Sequence, residues 1–206
     1  MKTIMGFIDP DAWERQIFGK EFSRDMLHMI GFLPENAYYY RYLTGEEFLD
    51  FFGRLSGMER EARAERIDEL LLRVGLEDAR QKRLLHYSKG MLQRIGLASA
   101  LIHDPQILLL DEPMSGLDPI GRNMVKNIIR SLHEAGKTIF FNTHILSDVG
   151  EICTHFAILV DGEIVTDMEY ASLDDPLEAY FMQMIDMKRN TEKMDTSFIP
   201  EKSWKK

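Results

Sequence analysis

Residues 107–118 read ILLLDEPMSGLD. Four aliphatic side chains run straight into two adjacent carboxylates, Asp111 and Glu112, and then into a turn of small residues. A short unbroken apolar run bounded by a turn predicts a strand covered on both faces, as in a parallel sheet. Two acids at the end of such a strand are costly unless a cation or water waits there. Outward from this stretch the chain alternates. A helical pattern, KGMLQRIGLASAL, precedes it, and PIGRNMVKNIIRSLHEA, TIFFNTH, ILSDVGEIC and HFAILV follow before a hairpin turn at Asp161-Gly162. Strand and helix in turn predict a parallel sheet flanked by helices. Asp118 as N-cap, Pro119 at the first helical position and Gly136 just past the end delimit one helix.

Toward the N-terminus the signals are shorter. MKTIMGFI, a turn at Asp9-Pro10-Asp11, RQIFG and MIGFLP read as pieces of a sheet, the last stopped by Pro34. From Thr44 the pattern becomes helical. Thr44 and Glu47 form a capping box for EEFLDFFGRL, and MEREARAERIDELLLRV puts Leu70, Leu71 and Val74 on one stripe before Gly75. This is a helical insertion in the sheet pattern. Pro176 opens a last amphipathic helix, and the polar tail from Lys188 is expected to be loose. The expected divisions are residues 1–34, an N-terminal core remnant; 35–100, a helical subdomain; 101–168, a C-terminal core; and 169–206, a helix and tail.

The 206 residues carry 34 acidic and 25 basic side chains, a formal charge of -9. That balance argues against binding a nucleic-acid backbone. The single cysteine, Cys153, excludes an intrachain disulfide and fits a reducing compartment. No apolar run approaches the roughly 18 residues of a membrane span, and the first residues show no signal pattern.

Asp111 and Glu112 lie where the carboxyl ends of parallel strands open a crevice. One acid there can support a magnesium ion, and its neighbour can orient or deprotonate a water, a role worth ~10²–10⁴ in rate. An isolated Asp-Glu pair more often caps a turn. Ser88 is placed as N-cap of KGMLQRIGLASAL, with Gly90 allowing close backbone approach, so free amides point at one spot and suit an anion. Such a helix start is usually structural. His144 ends TIFFNTH at the same edge, within reach of a terminal phosphate, although a lone His there commonly only caps. The succession at short spacing outweighs each bland reading.

In that succession the chain resembles the ATP-binding subunits of ABC transporters. YSKGM resembles their signature motif, with Lys89 and Met91 in place of the usual second Gly and Gln. ILLLDEP resembles Walker B, SGLD the D-loop and FNTH the switch-histidine region; IGFLPE resembles the loop in which Glu35 stands for the usual Gln. The resemblance covers the chain to about Met168. It implies an α/β fold, a partial P-loop NTPase-type parallel sheet flanked by helices with an inserted helical subdomain. It implies ATP and Mg²⁺ as cofactors, Asp111 supporting the metal, Glu112 as catalytic base and His144 on the γ-phosphate. Ser88, Gly90, Glu35 and Asp118 would contact nucleotide. The implied partners are a membrane permease and a second homologous ATPase subunit, with the chain peripheral on the cytoplasmic face. Repair and chromosome-maintenance ATPases share some of these motifs but insert long coiled coils, whereas Glu35 and Ser88 are 53 positions apart. LTGEEFLDFF and SGLDPIGR resemble export-type subunits.

The family's G-x-x-x-x-G-K-[ST] phosphate loop has no match. SLHEAGKT, residues 131–138, has Ser at the first Gly and runs from helix into strand; Gly19-Lys20 is followed by Glu21. Because KTIMGFIDPD resembles the segment that follows the loop, the sequence is expected to be truncated just past it. Trp13 stands near a usual Gly. A lost strand is expected to leave a position beside ILLLD unpaired, an aggregation hazard. Without the loop the chain is expected not to hydrolyse ATP by itself, and the alternative is an inactive half that completes a partner's site through Ser88 and Gly90. Tyr38, Tyr39, Tyr40 and Tyr42 crowd one turn, either as a permease contact or with two of them packed under the helical subdomain.

Overall fold

The computed structural model of the chain describes residues 1–8 and 14–196, with side chains described through 189. The Asp9-Pro10-Asp11 turn, Trp13 and the end of the tail lie outside the described residues. The chain divides into two compact units, Met1–His144 and from Ile145 onward.

In the first unit, β1 (Gln16–Ile17) and β2 (Lys20–Glu21) make a minimal antiparallel hairpin. Phe18 and Gly19 turn it with φ of 50° and 71°, the positive pair that matches the right-handed strand twist. MKTIMGFI, expected as sheet, is not a strand. Its backbone closes local turns, Met5 N–H to Met1 O and Phe7 N–H to Lys2 O. Met1, Ile4 and Met5 are held by packing near Ile17, Ile30 and Leu109 instead.

β3 (Ile30–Leu33) enters the main sheet, and three helices intervene before the next strand: α1 (Gly45–Leu55), α2 (Arg60–Arg73) and α3 (Lys89–Leu101). The expected capping box is present, Thr44 Oγ1 accepting from Glu47 N–H and Glu47 from Thr44 N–H. The helices pack on one another around Leu49, Leu70, Leu71, Val74, Leu84, Ile95 and Leu101, all at most 1% exposed. Gly75, with φ of 62°, ends the α2 segment. The layer meets the sheet closely at Gly31, where an added Cβ would lie 2.1 Å from Ala100 O. Only a residue without a side chain lets α3 and β3 approach so far.

β4 (Ile107–Asp111), α4 (Pro119–Glu134) and β5 (Thr138–Asn142) complete the unit. The strands lie in the order β3-β4-β5, all parallel, with Leu33 opposite Leu110 and Asp111 opposite Asn142. Parallel strands put all three carboxyl ends at one edge, with the helical connections between them. β4 is covered on both faces as expected, Leu108 and Leu110 being fully buried. The expected gap beside ILLLD is not there: β4 is paired on both sides. The outer edges of β3 and β5 carry no strand among the described residues, and β5 alternates in burial, with Phe140 51% exposed. A strand with one covered face needs only every second residue apolar, whereas β4 needs all of them.

The second unit contains α5 (Leu146–Ile152), β6 (His155–Val160), β7 (Glu163–Glu169) and α6 (Leu177–Thr196). β6 and β7 pair antiparallel through the expected Asp161-Gly162 turn, with φ of 49° and 83°. Phe156, Ile158 and Leu177 centre its core, with Val149 and Tyr180 against them. The tail expected to loosen at Lys188 stays helical to Thr196, and Lys188 pairs with Glu163. KRNTEKM lacks Gly and Pro, so nothing in it stops the helix.

Candidate functional site

The carboxyl edge of β4 and β5 gathers the acids and the histidine. Asp111 is the last residue of β4, and its Oδ1 accepts from Asn142 Nδ2 at 2.7 Å, across the rung that register places opposite. No hydrogen bond among the described residues reaches its other carboxylate oxygen. Glu112 is bent out of the strand direction by a φ of 50°, the left-handed region that non-glycine residues occupy only at a cost of about 1–3 kcal/mol. Three hydrogen bonds hold that peptide. Glu112 N–H donates to Asn142 O at 3.1 Å, and Glu112 O accepts from Ser115 N–H at 3.0 Å and from Gln93 Nε2 at 3.1 Å.

The bend turns the Glu112 carboxylate to His144. Its Oε1 accepts from His144 N–H at 3.1 Å and lies 2.8 Å from His144 Nδ1. The glutamate side chain is 16% exposed and the imidazole 77% exposed. A shielded carboxylate is therefore held by a histidine whose ring still reaches solvent. This places the expected base and the expected phosphate contact side by side.

Ser88 caps α3 as expected, its Oγ accepting from Met91 N–H at 3.2 Å. Asp118 caps α4, Oδ1 accepting from Gly121 N–H at 2.7 Å. The start of α3 lies against the SGLD turn: a Cβ on Gly90 would stand 3.4 Å from Leu117 Cδ2, and one on Gly116 would stand 2.6 Å from Lys89 Cδ and Cε. Gly116, at φ of 72°, thus admits the Lys89 stem across a bend that only glycine makes freely. The substitution of lysine into the signature pattern is matched by the glycine beneath it.

Glu35 sits exposed on the loop after β3. It is on the same sheet edge by topology, and no hydrogen bond joins it to the acid pair or His144 among the described residues. The four tyrosines divide. Tyr39 turns inward against Phe48, with ring centroids 5.8 Å apart, and burial pushes its hydroxyl up to about 12. Tyr38 and Tyr42 stay 84% and 68% exposed. Tyr40 joins them by edge contacts and lies 5.2 Å from Phe51. Tyr40, Tyr42, Leu43, Glu47, Phe51 and Arg54 line a groove of about 330 Å³.

Gln93 and Asn142 are the site residues that sequence reasoning did not single out. Asn142 lay inside the quoted FNTH, its register with Asp111 invisible without the sheet. Gln93 carried one signal: a polar residue on the helix face shared with buried Gly96, Leu97 and Ala100.

No group of three or more metal-ligating side chains exists among the described residues. Asp111 with one free oxygen instead suits Mg²⁺, which is commonly held through one or two carboxylates plus phosphate oxygens and water.

The chain is 49% identical over 168 residues to an uncharacterized ABC transporter ATP-binding protein of Synechocystis, covering 80% of this chain and 48% of the relative. It is 35% identical over 177 residues to the bacitracin transport ATP-binding protein BcrA of Bacillus licheniformis, covering 84% and 57%. It spans about half the length of the curated relatives it matches. In fold it resembles the solved ATP-binding subunit of an ABC transporter, with a TM-score of 0.80, 24% identity, and 89% of this chain and 81% of that one covered. Residues 1–115, more than half of the sequence, match the ABC transporter family. With the acid pair, the capped signature-like helix and the strand-end histidine on one edge of a P-loop NTPase-type sheet, the chain belongs to that family.

Proposed function

We propose that the chain is an ATP-binding and ATP-hydrolysing subunit of an export-type ABC transporter, working in a dimer of such subunits on a membrane permease made by another polypeptide. The Glu112–His144 pair at the carboxyl edge carries the reading. In it Glu112 is the general base that orients and deprotonates a water, and His144, held through both its backbone N–H and its ring, faces the γ-phosphate. Asp111 is the acid that supports Mg²⁺, whose part is to draw charge from the phosphate oxygens. Ser88 and Gly90 offer the free amides at the start of α3 to a phosphate on the partner subunit, and Asp118 and Glu35 border the nucleotide. The exposed Tyr38 and Tyr42 beside the groove over Phe51 are the permease contact. Export direction rests on the likeness of LTGEEFLDFF and SGLDPIGR to export-type subunits.

The reading places the chain at the cytoplasmic face of a membrane; no described helix is long and apolar enough to cross one. It divides the chain into core segments at 1–34 and 101–168, a helical subdomain at 35–100 and a C-terminal helix from 169.

One sequence fact supports a second reading. The 206 residues contain no G-x-x-x-x-G-K-[ST] stretch, so they supply no amide nest or lysine of their own for the β- and γ-phosphates. Under this reading, these 206 residues complete a partner's site through Ser88 and Gly90.

Steady-state phosphate release tests both. The 206 residues alone should release none above background, and robust release would overturn the account of the phosphate loop. Release on mixing with a loop-containing homologue whose signature serine is disabled supports the half-site. With a homologue's loop segment fused ahead of Met1, turnover should appear, and Glu112→Gln should keep ATP binding while losing about 10²–10⁴-fold in rate. Asp111→Asn should weaken Mg-ATP binding itself. Near-normal turnover by Glu112→Gln removes Glu112 as base.

A further inference from the structure

We propose that Gln93 is a positioning residue for Glu112, holding the base in its left-handed conformation and tying it to the signature-like helix α3. The proposal rests on the reading of Glu112 as general base. Gln93 is one of few buried polar side chains, 7% exposed, on a helix face otherwise apolar. Burying an amide there is unfavourable unless its hydrogen bonds are met. Its Nε2 donates to Glu112 O at 3.1 Å. A carbonyl can only accept, so the donor end of the amide must face it.

Glu112 gains most from such a bond because its backbone is strained. At φ of 50° the peptide tends to relax to negative φ, and relaxation would rotate the carbonyl away from both Gln93 and Ser115 N–H. It would also carry the carboxylate off His144, whose N–H and Nδ1 it meets at 3.1 and 2.8 Å. Asn142 O holds Glu112 N–H from the strand side; Gln93 is the side-chain hold on the other end of the same residue. A single helix links that hold to the anion-facing amides, since Ser88 caps α3 and Gln93 stands one and a half turns further along it. Displacement of α3 along its axis is therefore passed to the peptide of the base in the same chain.

The test uses NMR on the 206-residue chain and needs no nucleotide. In the unaltered protein a scalar coupling across the hydrogen bond from Gln93 Nε2 to the Glu112 carbonyl carbon should be seen, and cross-correlated relaxation should give a positive φ at Glu112. Its absence under conditions that show the Asn142 to Asp111 coupling overturns the proposal. Gln93→Met keeps the volume and removes the donor. It should bring Glu112 into exchange with negative φ and speed amide exchange at Ser115 and His144 by about tenfold, with Leu109 and Phe156 amides unchanged. Gln93→Glu, of the same length, turns a carboxylate to the carbonyl and should loosen the same two amides. A positive φ at Glu112 and unchanged Ser115 and His144 exchange in both variants would make Gln93 a packing residue and overturn the proposal. Because nothing here requires ATP, a chain that shows the coupling and the local loosening, but whose loop-fused form and mixture with the homologue both fail to turn over ATP, would sink the proposed function and leave the positioning intact.

Discussion

The helical insertion and the carboxyl edge of the sheet stand in contrast within one unit of the molecule. In α1 to α3 local preference and fold mostly agree: a capping box opens α1, a serine caps α3, a left-handed glycine follows α2, and the apolar stripes meet in a buried core. At the edge the rules are broken. A glutamate takes the conformation of a glycine, two acids end an apolar strand, and a histidine is held with its ring in solvent. Agreement of every level gives stability without chemistry, while local violations held by surrounding bonds mark where chemistry is done.

The sharpest way to break this comparison is to test whether stability lives where it is placed. Leu70→Ala removes a fully buried side chain from the helical core and should lower unfolding free energy by about 2–5 kcal/mol in urea titration. A loss under half a kcal/mol would mean the helical layer is not the firm region described.

The opposite sign is expected at the edge. Glu112→Gly frees the residue from its left-handed strain and should raise stability by about 1 kcal/mol, net of the lost carboxylate contacts to His144. It should do so while removing the proposed base. A stabilised protein that has lost turnover in the loop-fused form sharpens the contrast, and a destabilised one would show that the Glu112–His144 pair holds the edge together structurally.

The smallest effect concerns acid. The Lys137 hydrogen bond, aided by the charges of Lys137 and Arg66, holds the Asp104 carboxyl below its usual 3.8 against the opposing effect of burial. Since the folded value is the lower one, its contribution is full above about pH 4 and is lost as pH falls through the folded value. Asp104→Asn should flatten the fall in melting temperature between pH 4 and 2 by a small margin, because the carboxylate is mostly exposed and screened. An unchanged profile would remove this Arg66–Asp104–Lys137 cluster, which joins α2 to the ends of two loops, from the list of acid-sensitive ties.

Much of this was legible in the residues themselves. ILLLD could only be a strand buried on both faces, and Thr44–Glu47, Ser88, Asp118 and Asp161-Gly162 carry capping or turn chemistry that acts over three or four residues. Local signals of that range survive in any context, so caps, turns and the alternation that sets the fold class were determined by sequence. MKTIMGFI was misread for the same reason in reverse: an apolar run without a pairing partner reads alike as strand or as packed turns, and only its neighbours around Ile17 and Ile30 decide. The tertiary structure alone decided the long-range matters. It set Asp111 opposite Asn142 through the register of two strands more than thirty residues apart, brought Glu112 to His144, and laid Lys89 across Gly116. It also gave Glu112 its left-handed bend and supplied Gln93 to hold it. Those contacts depend on how a sheet edge and a helix converge in space, and no spacing along the chain encodes that distance.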